Sequence, residues 1–433
     1  MAATVNPIIP GFAPDPSVTR IGDTFFLVNS TFHLFPGLPI YASKDLVNWT
    51  LIGNAINRQS QLSLRLSDTK LHPQEDGTVM LATGGLFAPT IRHGPRSDKT
   101  YIINTNVVHP EDGGEDVPEN FILETDDIWS DSWSDPVYLD FSGIDPSIFW
   151  DEDGTGGIYP EGPHIYKKDG FYYLLISEGG TFKDHMITVA RSSNIRGPYK
   201  SHEKNPILTA AGTDNYVHCT GHCDMFQDEQ DRWWGVTFSH HFKTNIIDSP
   251  KSGLDWLYIR NATLQDHEID DRSIHLTPSK ADLSQWQDPV SFVGKRQRKL
   301  EGHASVILTI SEDDPCRAGL VVYKDEHRYT RIWYDGGKKI VCFEVINNAK
   351  KIARSHEAKI EDDIEELHML IEYAEEQLVL QYMEETGVVK TIGTVDTGEL
   401  SNADFVGPII GVFATSDSDC PSPVLFKDFR IDQ

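Results

Sequence analysis

Short runs of apolar residues, separated by turns rich in Gly, Pro, Asp and Asn, make up most of this chain. Aromatic and β-branched residues dominate the runs, for example at positions 25–28 and 233–236. Such runs are typical of β-strands. The Glu- and Leu-rich stretch 361–383 also fits a helix, but we predict a hairpin there, with strands at 368–373 and 378–382. The pattern as a whole predicts an all-β protein.

One start signal for a strand occurs five times along the chain. It consists of an acidic or polar turn, a Pro or small residue, an apolar marker residue, a second turn and an aromatic-rich strand. The marker residues are Val18, Ile91, Ile148, Ile165 and Met225. They are separated by 73, 57, 17 and 60 positions. Such repeats are typical of a β-propeller, in which one blade takes roughly 40–50 residues. Because an interval of 17 residues holds one hairpin at most, we expect four full blades and a truncated third blade.

The pattern of the sequence changes after position 291, where short strand-like apolar runs follow one another at near-regular spacing. Many short strands in such a series are typical of a β-sandwich. The stretch that precedes them, 239–287, is polar and poorly patterned. We therefore predict a propeller domain over residues 1–280 and a sandwich domain over residues 290–433.

Composition excludes several classes of partner. The formal net charge of −28 argues against nucleic acid and against anionic membranes, since both need a basic surface. No stretch approaches the roughly 20 apolar residues of a membrane span. The N-terminus shows no signal peptide, so we expect an intracellular protein, or an extracellular one if the N-terminus is incomplete. Five dispersed cysteines do not form a disulfide pattern, and the oligomeric state stays open.

Three of the start signals place a carboxylate where the first strand of a blade begins. These residues are Asp15, Asp145 and Glu161. Each alone is more often a turn residue, because Asp–Pro is common in turns. Together, at the inner strands of a propeller, they would converge on one axis. Hydrolysis of a glycosidic bond needs two carboxyl groups, one as acid and one as base, and an inverting enzyme places them roughly 6.5–9.5 Å apart.

Several segments resemble glycoside hydrolase family 43, and its β-xylosidase and α-L-arabinofuranosidase branch in particular. They lie at 6–18, 32–49, 84–90, 161–166 and 221–225, and segment 291–298 resembles the opening of the C-terminal sandwich of that family. The resemblance implies a five-bladed propeller, here with a truncated third blade, followed by a jelly-roll, concanavalin-like sandwich. It also implies hydrolysis of O-glycosidic bonds in xylose- or arabinose-containing oligosaccharides by an inverting mechanism.

The same resemblance implies roles for individual residues. Asp15 matches the general base, Glu161 the general acid, and Asp145 the residue that orients the acid and tunes its pKa. Phe32 matches a hydrophobic wall of the sugar subsite. Phe87 falls where the family often has Trp, and its ring face can stack on a pyranose.

His222 matches a central histidine that lies beneath the sugar, near a water molecule or a calcium ion on the propeller axis. The expectation is that no cofactor is required, although a structural calcium ion fits the resemblance. His218, Cys219, His222 and Cys223 also look like a zinc cluster. They lack the second, distant pair of ligands that structural zinc normally needs, so zinc is the weaker interpretation.

Two departures from the family pattern bear on activity. The rest of the third blade is missing after Asp153, and the usual arginine-containing stretch is not found after Phe238, which leaves Arg260 as a weak candidate for holding the substrate. A misplaced carboxylate lowers the rate steeply. We therefore expect a weakly active or inactive enzyme, and the alternative is a carbohydrate-binding protein on the same scaffold.

Overall fold

The computed structural model describes residues 6–151, 156–159, 162–180, 184–215, 218–240, 253–311, 315–361, 364–402 and 404–432. Among these residues β-strands dominate. Helical structure is limited there to a 3-10 turn at Leu264–Asp266 and to α1 (Thr397–Leu400). The predicted all-β class is therefore confirmed. No helix in these ranges has the length and hydropathy needed to cross a bilayer.

The described residues up to position 240 form twenty strands. They are β1 (Ser17–Ile21), β2 (Thr24–Val28), β3 (Leu34–Phe35), β4 (Gly37–Ser43), β5 (Thr50–Ile56), β6 (Thr69–Pro73), β7 (Val79–Thr83), β8 (Gly85–His93), β9 (Thr100–Val108), β10 (Val117–Thr125), β11 (Val137–Tyr138), β12 (Ser147–Trp150), β13 (Gly156–Tyr159), β14 (His164–Lys168), β15 (Phe171–Glu178), β16 (Met186–Ser192), β17 (Lys200–Ser201), β18 (Leu208–Thr209), β19 (His218–Gln227) and β20 (Trp233–His240).

Most of these strands belong to a first compact unit, Met1–Ser63 and Gly84–Leu254. Its antiparallel sheets have the orders β1-β2-β4-β5, β8-β9-β10-β11, β12-β13, β14-β15-β16-β17 with β18 on β16, and β19-β20. The turn between β1 and β2 contains Gly22 at φ 61°, which glycine adopts without steric cost. Strand β2 is buried along its whole length, so its apolar run packs on both faces.

Each sheet of the first unit begins with a strand that follows or contains one start signal, as predicted. These first strands are β1, β8, β12, β14 and β19, and each contains its marker residue. Strand β1 lies beside β8 and β19, and β12 lies beside β8 and β14. The first strands therefore surround a common axis, which is the arrangement of a propeller.

The third of these sheets consists of β12 and β13 in the described part of the chain. The two strands pair from Ser147 opposite Tyr159 to Trp150 opposite Gly156. Residues 152–155 and 160–161 lie outside the described residues. The truncation of the third blade and the count of five blades therefore stay predictions.

Fourteen more strands lie in the part of the chain that is described from residue 253 onwards. They are β21 (Tyr258–Ile259), β22 (His267–Ile269), β23 (Ser273–Leu276), β24 (Phe292–Arg296), β25 (Gly302–Thr309), β26 (Arg317–Asp325), β27 (Arg328–Asp335), β28 (Ile340–Asn347), β29 (Ile352–Lys359), β30 (Glu366–Tyr373), β31 (Gln377–Met383), β32 (Val389–Asp396), β33 (Ile409–Thr415) and β34 (Val424–Ile431). Strands β30 and β31 are the predicted hairpin, which is confirmed.

The second compact unit, Leu64–Thr83 and Asp255–Gln433, is a sandwich of two antiparallel sheets. One sheet has seven strands in the order β22-β23-β34-β25-β30-β31-β32, and the other has six in the order β24-β33-β26-β27-β28-β29. Alternate residues of both sheets form one apolar core, which includes Leu308, Leu320 and Phe426. The predicted sandwich is therefore present.

The division between the units differs from the boundary drawn in the sequence at 280–290. Strands β22 and β23 pair with each other and with β34, so the polar stretch after residue 255 belongs to the sandwich. The hairpin β6–β7 belongs to it as well. The Thr69 N–H donates to Glu326 at 2.5 Å, and the Thr69 carbonyl lies 3.0 Å from His327 Nε2. These contacts join residues more than 250 positions apart, which a local pattern does not reveal.

Candidate active site

The residue three positions before each marker has a left-handed backbone. The φ angles are 53° at Asp15, 36° at Ala88, 55° at Asp145, 72° at Gly162 and 42° at His222. This conformation is unfavourable for residues with a Cβ atom. It occurs at the same point in all five start signals, before the first strand at Asp15, Asp145 and Gly162 and within the first strand at Ala88 and His222. The first strands therefore share one backbone geometry at the end where the candidate catalytic residues lie.

Asp15 is held in place by Ser30, a residue that the sequence analysis missed. The Ser30 hydroxyl donates a hydrogen bond to Asp15 Oδ2 at 2.7 Å, and the Ala88 N–H donates to the Ser30 oxygen at 2.6 Å. The Ser30 N–H donates to the Pro14 carbonyl at 3.0 Å. Ser30 is fully buried, so these bonds are shielded from water. Ser30 thereby links the starts of the first and second sheets and orients the Asp15 carboxylate.

His222 lies between the two candidate aspartates. Its Nδ1 atom is 3.9 Å from Asp15 Oδ1 and 3.8 Å from Asp145 Oδ2. The side chains of His222, Asp15 and Asp145 are 12%, 13% and 28% exposed. The structure thus brings together three of the residues selected from the sequence, at the axis and with limited access to water.

Glu161, the candidate acid, lies outside the described residues. Its neighbour Gly162 is described, and the Gly162 N–H donates to the Asp145 carbonyl at 2.6 Å. The start of β14 therefore lies beside Asp145. The separation of the Asp15 and Glu161 carboxyl groups stays a prediction.

The two candidate sugar-binding rings contact each other beside Asp15. The ring centroids of Phe32 and Phe87 are 4.9 Å apart at an interplanar angle of 72°, and Phe12 stacks against Phe32 at 6.0 Å. Phe32 is only 3% exposed, whereas Phe87 is partly exposed. Phe87 is therefore the ring with surface available to a sugar, and Phe32 supports it from behind.

A buried ion pair joins the inner strands at the axis. Arg92 donates to both oxygens of Asp224 at 2.7 Å. Ser17 and Tyr166 donate their hydroxyl hydrogens to the same carboxylate at 2.6 and 2.7 Å. Burial alone would raise the pKa of Asp224, but the charge of Arg92 and these hydrogen bonds outweigh it and hold the pKa well below its ordinary value. Asp224 is therefore a fully buried, ionised acceptor.

The network extends to the remaining inner strands through His164. His164 Nδ1 lies 2.9 Å from the Ser147 hydroxyl and 3.3 Å from Arg92 Nη2. The sequence held a signal for this network, because the residue just before each marker is polar. In the structure all five of these residues are buried: Ser17, Thr90, Ser147, His164 and Asp224.

His164 is expected to make stability depend on pH. Burial lowers its pKa from 6.5 to about 4, and Arg92 and His222 act in the same direction against the attraction of Asp224. Because the unfolded chain takes up the proton first, stability is lost as pH falls from 6.5 towards 4, by about 3 kcal/mol in total. Denaturation midpoints of the parent and of His164→Asn at pH 7 and pH 4.5 measure this. The parent should lose more stability than the variant, and equal losses would contradict the assignment.

Matches to known proteins agree with this geometry. The sequence model described as "Glycosyl hydrolases family 43" matches residues 4–156 and 155–271, which is more than half of the chain. The chain belongs to glycosyl hydrolase family 43. A second model, "Beta xylosidase C-terminal Concanavalin A-like domain", matches residues 247–432. The assignment made from the start-signal segments is confirmed, as is the combination of a propeller with a concanavalin-like domain.

Family 43 relatives include enzymes of two named types. "Xylosidase/arabinosidase 43B" of Humicola insolens is 30% identical over 338 residues, which is 65% of this chain and 59% of that protein. The chain thus spans less than two thirds of that relative. "Non-reducing end alpha-L-arabinofuranosidase BoGH43B" of Bacteroides ovatus is 28% identical over 522 residues, covering 98% of this chain and 94% of that protein. The crystal structure of xylan beta-1,4-xylosidase from Bacillus halodurans C-125 has the same fold, with a TM-score of 0.83 and 23% identity over 98% and 99% of the two chains.

Two further candidates from the sequence are Arg260, as a residue that holds the substrate, and the alternative zinc cluster. Arg260 is in the second unit, where it is buried and donates to Glu326 at 3.1 Å and to the Gln285 carbonyl at 2.9 Å. The side chain of His218 lies outside the described residues, so the proposed zinc cluster is not described in full. Within the ranges that are described, no group of three or more His, Cys, Asp or Glu is placed to hold a metal.

Proposed function

We propose that this protein hydrolyses O-glycosidic bonds at xylose or arabinose units of oligosaccharides, with inversion at the anomeric carbon. The observation that carries the proposal is the Asp15 carboxylate, held by Ser30 and facing His222 and Asp145 at the propeller axis. The names of the relatives from Humicola insolens and Bacteroides ovatus support the two sugar types.

Asp15 is suited to act as the base. Ser30 occupies Oδ2, so Oδ1 on the side of His222 is left to accept a proton from water. The oxygen of that water bonds to the anomeric carbon while the bond from this carbon to the leaving oxygen breaks. Glu161 gives its proton to the leaving oxygen, so charge and atoms balance.

Asp145 is suited to tune the acid. Its backbone carbonyl accepts from Gly162, the residue after Glu161, so the two segments are joined at the start of β14. A carboxylate next to a carboxylic acid favours the protonated form of that acid, which is the form needed to protonate a leaving group.

A calcium ion on the axis stays a proposal. The Asp15 and Asp145 carboxylates near His222 are hard donors of a kind that suits calcium. Because the described residues include no group that could hold a metal directly, water would have to supply most of the ligands. None of the proposed steps depends on the ion.

The stereochemistry of the first product tests the proposed function. We expect an aryl β-xyloside or an aryl α-L-arabinofuranoside to release a sugar of inverted anomeric configuration, because water attacks from the side opposite the leaving group. Proton NMR during the first minutes measures this, with a mutarotation control. A retained configuration would contradict the mechanism. Binding of xylo-oligosaccharides without turnover would favour the carbohydrate-binding alternative, and a low rate would agree with the predicted impairment.

A further inference from the structure

His185 lies immediately before β16 and next to the candidate site. It is only 6% exposed, and its backbone carbonyl accepts from the Thr209 hydroxyl at 3.1 Å. The face of its imidazole ring covers Gly221, so closely that a Cβ atom on Gly221 would overlap three ring atoms. The ring of His185 therefore leaves no room for a side chain at position 221, where the sequence has glycine.

Gly221 is the centre of an irregular stretch in β19. The pairing of β19 with β20 shifts register on both sides of Gly221. Cys219 and His222 have φ angles of 54° and 42°, so the backbone is left-handed before and after the glycine. Such a bulge redirects the side chains that follow it. Here the residue redirected is His222, which lies between Asp15 and Asp145.

The bulge is held from two sides. The Thr237 hydroxyl of β20 donates to the Gly221 carbonyl at 2.6 Å. On the other side the His185 imidazole covers Gly221. Burial lowers the pKa of His185, which favours the neutral form of its ring. His185 therefore holds the bulge by packing of its ring against Gly221.

We propose that His185 is a positioning residue, which fixes the Gly221 bulge and so sets where His222 lies between the two aspartates. The inference rests on the proposed function only for its kinetic consequence. A displacement of about 1 Å at a reacting group lowers a rate by on the order of 100-fold. Loss of His185 should therefore reduce kcat and leave KM nearly unchanged, because the change acts through the position of His222 between the two aspartates.

A cycle of variants tests the inference. His185→Ala should lower kcat by roughly 10- to 100-fold. Gly221→Ala should lower it at least as much, since the new methyl group meets the ring. In the double variant the ring is absent, so kcat should recover by about tenfold over Gly221→Ala.

The matched control is Gly235→Ala in β20, whose Cβ would be 3.3 Å from Cys223 Sγ. It should keep kcat, and its combination with His185→Ala should show no recovery.

A measurement without turnover separates this inference from the proposed function. The imidazole NMR signals of His222, assigned by comparison with His222→Gln, should shift in His185→Ala and stay in place in Gly235→Ala, with circular dichroism showing that all variants are folded. If the parent is inactive on both aryl glycosides but the signals shift, the proposed function fails and the positioning role holds. Unchanged His222 signals and unchanged kcat in His185→Ala would overturn the inference.

Discussion

Asp15→Asn should lose hydrolysis of aryl xylosides and arabinofuranosides, with kcat lowered by roughly 10²- to 10⁴-fold. The amide has nearly the same shape as the carboxylate and can still accept the hydrogen bond from Ser30, but it cannot take a proton from water. The loss should therefore appear in kcat while the fold is kept. Steady-state kinetics on both aryl substrates measures it, with circular dichroism of each variant.

Two comparisons assign the loss to the base. Glu161→Gln should be as inactive as Asp15→Asn, whereas Asp145→Asn should lose less, because Asp145 tunes a proton transfer without making one. Asp23→Asn replaces an exposed aspartate that pairs with Lys44, and it should keep full activity. If Asp15→Asn retained kcat within tenfold, another group would have to be the base.

Asp224→Ala is expected to destabilise the first unit by about 3–5 kcal/mol, the range for removing one partner of a buried ion pair. The substitution leaves the Arg92 guanidinium without its counter-charge and removes the acceptor of the Ser17 and Tyr166 hydroxyl groups. These donors come from three different inner strands, so the substitution removes hydrogen bonds that join those strands around the axis. Urea denaturation followed by tryptophan fluorescence measures the shift of the midpoint.

The control and the double variant distinguish this pair from a surface charge. Asp23→Ala should leave the midpoint nearly unchanged, because Asp23 is exposed to water. Arg92→Leu combined with Asp224→Ala should cost less than the sum of the two single changes, since each single change leaves one uncompensated polar group. Strictly additive losses would show that the two residues do not act as a pair.

The start signals predicted the inner strands correctly, because each signal is local. A turn, a small residue and an apolar residue specify where a strand begins within about ten positions of chain. The position of Asp15 and Asp145 at the axis followed from that prediction once the strands were placed around it, whereas a central place for His222 was implied by the resemblance to family 43. The resemblance to family 43 then supplied roles, which remain to be measured.

Contacts between distant parts of the chain were not predictable in the same way. Arg92 and Asp224 are 132 positions apart, and no pattern in either segment indicates the other. Ser30 is one of many serines beside a strand, and only the structure shows that its hydroxyl reaches Asp15. For the same reason the hairpin β6–β7 was assigned to the propeller by its place in the sequence, although Thr69 pairs with Glu326.

At the five left-handed residues, the backbone conformation that favours glycine competes with the need for particular side chains at the site. A residue with a Cβ atom in this conformation costs on the order of 1 kcal/mol, and glycine does not. Selection for a long-lived fold alone would place glycine at all five positions, yet only Gly162 follows that preference. Replacement of Ala88 by glycine should therefore raise thermal stability. At Asp15, Asp145 and His222 the same change would relieve the backbone but remove the side chains around which the proposed reaction is built.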